Sequence, residues 1–383
     1  MYVNFGKIEN TNEDYKIPVS EISNTLISGD SRTGKTVAAM KIISESIKAQ
    51  PAEKRFVCMT SKTDWRALAQ SIEPENFHLI NLGVSDAESD HFNPCIIPYG
   101  VDPQEWTDVL VENFCRTYGL LAVAKNIISD AINDLYANAG VFEAMKKSNW
   151  KDIVPELSKK VTFKEIYKEL ESRQNTLDDS KEGIVIKNTI PRLLDRLSPF
   201  GRDNSIESKI FGSEDSIGIN DLAKIGGVIV LESAGLELTL SNFIFSVITS
   251  GFYQYGKAQE GGYKASDQRE TVLVIEEADK VFVKDEFGLN ESSKLEEVFE
   301  KSANHGLYVM AITQKLANLP SSLTDNAEFS VIGKQRRRND VDVAAKKLNK
   351  EYSDVCSLVS EFSEGKFVCR KADSEPVVVT VAS

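Results

Sequence analysis

Gly29-Asp30-Ser31-Arg32-Thr33-Gly34-Lys35-Thr36 is the stretch on which the reading of this chain turns. It fits the pattern G-x-x-x-x-G-K-[S/T] at every position. It stands between an apolar run, Asn24-Thr-Leu-Ile27, and a helix-forming run from Val37 to Ala49 that Pro51 stops. Strand, glycine loop and helix together give such a match a physical meaning. The glycines let consecutive backbone N–H groups converge on phosphate oxygens, and the N-terminus of the next helix adds its positive end. On this reading Gly29, Asp30, Ser31, Arg32, Thr33, Gly34, Lys35, Thr36 and Val37 form a nucleotide-binding loop. Lys35 reaches the β- and γ-phosphates, and the Thr36 hydroxyl is offered to Mg²⁺.

A site that hydrolyses ATP also needs an acid for the metal and a base for the water. Thr271-Val-Leu-Val-Ile-Glu276-Glu277-Ala278-Asp279 is an apolar strand that ends in paired carboxylates. Glu276 is assigned to Mg²⁺ with Thr36, and Glu277 to the attacking water. Ala311-Ile-Thr313-Gln314 ends another apolar strand, where Gln314 can hold the water or sense the γ-phosphate without titrating.

Outward from these motifs, apolar runs alternate with helical patterns, which predicts a largely parallel sheet with covered faces. Strands are expected at Arg55–Thr60, Phe77–Leu82, Gly227–Leu231, Thr271–Ile275, Leu307–Ile312 and Phe329–Ile332, with two more at Lys366–Arg370 and Pro376–Val381. From Glu105 to about Leu197 the hydrophobic spacing turns helical. The expected plan is an α/β P-loop NTPase core of the RecA-like type, helices on both faces of its sheet, with an all-helical insertion. Its parts are expected at 1–104, 105–210 and 211–383.

Composition narrows the classes. The net charge of −13 means that any contact with nucleic acid has to come from a local basic patch. Five scattered cysteines and three histidines, with no Cys-x-x-Cys pair, indicate neither a disulfide framework nor a zinc module. The charged N-terminus lacks the apolar run of a secretory signal. The 19 uncharged residues from Leu238 to Gly256 raise the question of a membrane span. Their Leu240, Phe243, Ile244, Val247 and Ile248 instead form the one-sided stripe of a helix packed on a core. A cytoplasmic protein with no membrane insertion is expected.

The order of the motifs resembles the HerA/FtsK superfamily of ring-forming motor ATPases, especially HerA-type helicase domains and the conjugation ATPases of type IV secretion. The resemblance rests on the phosphate loop, Phe92-Asn-Pro-Cys95, Leu193-Leu-Asp-Arg-Leu197, the acidic strand, and His305-Gly306-Leu307 ahead of Thr313-Gln314. The 241 positions between Lys35 and Glu276 suit that group. It implies an ATP-hydrolysing, Mg²⁺-dependent homo-oligomer, a hexameric ring, acting on DNA as a translocase or helicase. Its alternatives are an ATPase energising protein secretion or conjugative transfer, and a nucleotide-gated scaffold for a partner nuclease in phage defence.

Three positions depart from that family. Its acidic strand usually ends Asp-Glu, where this chain has Glu276-Glu277. Its basic pair before the His-Gly turn is replaced by Ala303-Asn304. The 28 residues ahead of the loop are too few for the N-terminal barrel of HerA helicases. A basic segment partly fills the second gap. From Lys334 to Lys350 seven Lys and Arg stand against two Asp, a net +5. Arg336 and Arg338 are the expected donors of an arginine to a neighbouring subunit's nucleotide, and the segment also suits a phosphate-backbone contact. Arg192 and Arg196 are alternatives. The role of Asp64-Trp65 stays open.

Overall fold

Four strands among the described residues, Thr25–Ser28, Lys54–Thr60, Val228–Glu232 and Phe329–Ile332, are buried at every residue. A strand can be buried throughout only if both faces of its sheet are covered, and that is how such runs arise in parallel sheets. The computed structural model describes residues 1–83, 89–120, 122–175, 181–213, 215–259, 269–282 and 294–381. Positions 121 and 176–180 of the expected helical stretch lie outside them.

Eleven strands form one sheet. In chain order they are β1 (Tyr2–Ile8), β2 (Asp14–Pro18), β3 (Thr25–Ser28), β4 (Lys54–Thr60), β5 (Phe77–Asn81), β6 (Val228–Glu232), β7 (Glu270–Glu276), β8 (Leu307–Thr313), β9 (Phe329–Ile332), β10 (Lys366–Lys371) and β11 (Val377–Thr380). Their order across the sheet is β2-β1-β11-β10-β9-β3-β8-β7-β4-β6-β5. From β9 to β6 the pairings are parallel, while β10, β11, β1 and β2 add an antiparallel flank. The expected fold class is the observed one: a mainly parallel sheet flanked by helices.

The chain divides into two compact units. The first comprises Met1–Ile80, Gly226–Glu232 and Gly261–Ser383. Cys58, Val230, Val272, Val274, Met310 and Ile312 from its central strands join Ala38, Ala39, Ile42, Ile43 and Ile47 of the helix Lys35–Ala49 in one core. The alternating strand residues Val57, Met59, Leu231, Leu273 and Ile275, which face the other way, are buried as well.

The second unit comprises Asn81–Ile225 and Ser233–Glu260. It contains the expected insertion at 105–210 and extends beyond it on both sides, taking in the helix Leu238–Ala258. Asp102 opens the helix Pro103–Tyr118 by accepting from the N–H groups of Gln104 and Glu105. Gly119, at φ 65°, closes it. The unit's centre is aromatic: Phe114, Phe163, Phe200, Phe211 and Phe243 meet edge to face or tilted, with Phe163 and Phe200 centroids 4.9 Å apart. The stripe of Leu240, Phe243, Ile244, Val247 and Ile248 is buried, as its spacing required. Among the described residues no helix is long and apolar enough to cross a membrane.

Candidate nucleotide site

Parallel strands deliver their C-terminal ends to one edge of a sheet, which is where ligands bind in open α/β folds. Here that edge carries Ser28 of β3, Thr60 of β4, Glu232 of β6, Glu276 of β7 and Thr313 of β8. The glycine loop leaves β3 and enters the helix Lys35–Ala49 with Gly34 at φ 88°. A side chain at Gly34 would be strained at that angle and would meet the backbone nitrogen of Gly365 at 3.3 Å.

Neighbouring backbone holds the loop in place. Asp30 N–H donates to the Lys334 carbonyl at 2.7 Å, Gly333 N–H to that of Ser28 at 2.7 Å, and Gly365 N–H to that of Thr33 at 3.1 Å. The Lys35 ammonium donates to the carbonyls of Gly29 and Asp30, both at 2.7 Å. Burial pulls its pKa down from 10.5 to about 8, and the Lys62 charge adds to this against the pull of Asp30, Glu276 and Asp279. A largely buried cation whose direct partners are two neutral carbonyls is suited to receive an anion.

Glu276 is the most heavily partnered carboxylate of the site. Its Oε2 accepts from Thr60 Oγ1 at 2.6 Å and Trp65 Nε1 at 3.0 Å, and its Oε1 from Thr36 Oγ1 at 3.1 Å and Lys62 Nζ at 2.9 Å. Burial alone would raise its pKa. The hydrogen bonds from Thr60 and Lys62, the Lys62 charge and the Trp65 hydrogen bond outweigh that and hold it below the ordinary value.

Glu277 leaves the strand in the left-handed region, φ 54°, a strained conformation for a residue with a side chain and one found at functional sites. Its carboxylate pairs with Lys280 and, at 3.5 Å, with Lys62. Asp279, behind the pair, accepts from Thr313 Oγ1 at 2.7 Å.

Lys35, Thr36, Val37, Glu276, Glu277 and Gln314 thus line one cleft of about 290 Å³ with Ser31, Arg32, Thr33 and Gly34. Thr36 and Glu276 offer a hydroxyl and a carboxylate, hard oxygen donors that fit Mg²⁺. Arg336 is elsewhere. It lines an adjoining groove of about 570 Å³ with Asp30, Lys334, Arg337 and Phe362, which shares Ser31, Arg32, Thr33, Gln314 and Glu364 with the cleft, and it pairs with Asp30 at 3.5 Å. Arg338 begins the helix Arg338–Leu348 and lines neither space.

Sequence reasoning did not single out Thr60, Lys62 or Glu364 as members of this cleft or its acid network. It noticed Trp65, but not that its indole N–H fixes Glu276. No local pattern marks these residues: Thr60 and Lys62 matter through the placement of β4 beside β7, and Glu364 through the turn before β10 that docks on the loop at Gly365–Thr33.

No protein-family profile matches the sequence, and no curated protein matches it. Solved structures do. VirB4 of Thermoanaerobacter pseudethanolicus superposes with a TM-score of 0.70 at 14% identity, covering 100% of this chain and 96% of that one. The plasmid coupling protein TrwB is similar in complex with the non-hydrolysable ATP analogue ADPNP (TM-score 0.64, 12% identity) and with ADP and Mg²⁺ (TM-score 0.62, 12% identity). Both comparisons cover 94% of this chain and 85% of TrwB. At such identities the likeness is one of fold. The fold is the one that the motif resemblance implies.

Proposed function

We propose that this protein is a Mg²⁺-dependent ATPase of the HerA/FtsK type, working as a homo-oligomeric ring, a hexamer, that moves DNA. One observation carries the ATPase reading: a glycine loop's threonine hydroxyl lies 3.1 Å from the carboxylate that ends the acidic strand. Lys35 and the loop's N–H groups would hold the phosphates, and Thr36 and Glu276 would hold Mg²⁺. When bound, the metal offsets charge that develops on phosphate oxygens. Glu277 would take a proton from the attacking water, and Gln314 would orient that water. Arg336 or Arg338 would complete the site from a neighbouring subunit. Phosphoryl transfer needs little covalent help, so positioning and charge are what these residues supply.

Two observations favour DNA as the cargo. The net +5 segment 334–350 stands out in an acidic chain, and the similar TrwB is a bacterial conjugative coupling protein. An ATPase energising protein secretion or conjugative transfer is the second reading, and the likeness to a conjugative coupling protein is compatible with it. Phosphate release by the purified chain, with and without Mg²⁺ and DNA, tests the proposal. Mg²⁺-dependent hydrolysis stimulated by DNA and abolished by Lys35→Ala is expected. No hydrolysis under any condition overturns the enzyme reading. Hydrolysis indifferent to DNA, with no DNA binding at low salt, overturns the cargo and favours secretion.

A further inference from the structure

Lys62 follows β4 and has no place in the motif grammar of the site, yet its ammonium bridges both acids, 2.9 Å from Glu276 Oε1 and 3.5 Å from Glu277 Oε1. Its backbone is fixed, since its N–H donates to Thr60 Oγ1 at 3.0 Å, the same hydroxyl that donates to Glu276 Oε2. Thr60 and Trp65 occupy Oε2, so Oε1 is the oxygen that can take a cation. It already has Thr36 on one side and Lys62 on the other. Glu276 is 5% exposed at its side chain and Lys62 40%. The acid is locked in place while the lysine tip has open solvent to move into.

We infer that Lys62 is a resident counter-ion that competes with the divalent metal for Glu276 Oε1, so that metal binding requires the ammonium to withdraw. Two buried or half-buried carboxylates side by side repel each other unless a cation stands between them. Lys62 stands between them, 2.9 Å from one and 3.5 Å from the other, and holds both acids in position. The metal takes over its role, which makes nucleotide-site assembly an exchange of one cation for another. The lysine is therefore a positioning residue that sets how strongly metal and nucleotide binding are coupled.

The inference rests on the proposed Mg²⁺ role of Glu276, and the experiment separates the two. Binding of a fluorescent ADP analogue to the full chain is measured with Mg²⁺ and with EDTA, and the factor by which Mg²⁺ tightens binding is the readout. Removing Lys62 frees Oε1 for the metal and, without the metal, leaves Glu276 with no ion-pair partner near the phosphates, while Glu277 keeps Lys280. Both effects raise the factor. Lys62→Met should increase it by roughly three- to tenfold, the scale of one partly exposed ion pair, while Lys62→Arg should leave it near the wild-type value. A merely structural lysine would weaken binding equally in both conditions and leave the factor unchanged, and that result overturns the inference alone. A wild-type protein that binds the analogue identically with and without Mg²⁺, or does not bind it, sinks the metal reading and the inference together. Thermal unfolding of Lys62→Arg beside Lys62→Met guards against a folding defect, because a loss of fold shared by both variants would also overturn a role in metal exchange.

Discussion

The Thr36 hydroxyl donates to Glu276 Oε1 across 3.1 Å, although 240 positions of chain separate the two residues. Glu277, one residue on, turns the other way into the left-handed region and meets Lys280 and Lys62 rather than Thr36. The two acids therefore have different surroundings and should fail differently. Glu277→Gln should bind ATP and hydrolyse it at least ~100-fold more slowly, the lower scale for a lost general base. Glu276→Gln should lose the Mg²⁺ dependence of binding as well. Binding and phosphate-release assays read these separately. An active Glu277→Gln beside a Glu276→Gln variant that traps ATP would reverse the assignment.

Lys35 gives a proton signature. Its pKa near 8, against an ordinary 10.5, means that the unfolded chain holds more protons between those values, so stability rises with pH across that window. A bound phosphate favours the charged ammonium and lifts the pKa again. Nucleotide binding at a pH of about 8.5 should therefore take up protons, since the terminal phosphate is already ionised there. Affinity should weaken as pH rises through about 8. Calorimetry in two buffers of different ionisation enthalpy measures the uptake, and buffer-independent heats would count against it.

Glu276 acts on the acid side. Its folded pKa lies below the ordinary 4.5, so its stabilising contribution is complete above 4.5 and is lost as pH falls from there through the folded value. Denaturant midpoints followed down to a pH of about 3 should drop more steeply for the wild type than for Glu276→Gln, which has nothing to protonate. Parallel acid limbs for the two proteins would show that the network around Glu276 contributes no linkage.

The phosphate loop was legible in the sequence because all its determinants are local: a glycine, Gly34, where φ is positive, a lysine, a hydroxyl, and an apolar strand before them. The buried central strands were legible because a parallel sheet writes itself as unbroken apolar runs. Thr60 and Lys62 were not. Their meaning depends on β4 pairing with β7 so that Met59 lies beside Ile275 and the next residues meet Glu276. That neighbour relation spans more than 200 positions and leaves no periodic trace. The expected boundaries at 105 and 210 followed the helical spacing, whereas the compact helical unit is closed by Leu238–Ala258, a helix that arrives after β6 has returned to the sheet.

The basic segment is not uniformly available to a ligand. Lys347 donates to the carbonyls of Asp325 and Ala327, Lys350 pairs with Glu375, and Arg336 with Asp30. Among the described residues Arg337 and Lys346 carry no such ion pair. If these two grip DNA phosphates, log K should fall with log salt at a slope near −0.9 per contact. Arg337→Glu with Lys346→Glu should flatten that slope by roughly two contacts. Lys347→Glu should lower stability and leave the slope nearly unchanged. Equal slopes for the wild type and the double variant, read by fluorescence anisotropy over a salt series, would remove this segment from the DNA contact.

The arginine that completes the site is expected to come from another subunit. Arg336 pairs with Asp30 of its own loop at 3.5 Å, and its side chain is 73% exposed. Neither it nor Arg338 lines the cleft that holds Glu276 and Glu277. An exposed guanidinium beside the loop and outside the cleft suits the proposed role at a neighbouring subunit's nucleotide. In small GTPases an arginine finger contributes on the order of 10³–10⁵ in rate. Arg336→Ala or Arg338→Ala should therefore lose ATPase while nucleotide binding and ring assembly persist. Mixing the affected variant with Lys35→Ala should restore part of the activity, because intact loops of one subunit then meet intact arginines of the next. Co-assembled rings with no activity, or an arginine variant that hydrolyses ATP normally as a monomer, would show that the site is complete within one chain or that the donor lies elsewhere, with Arg192 and Arg196 the next to test.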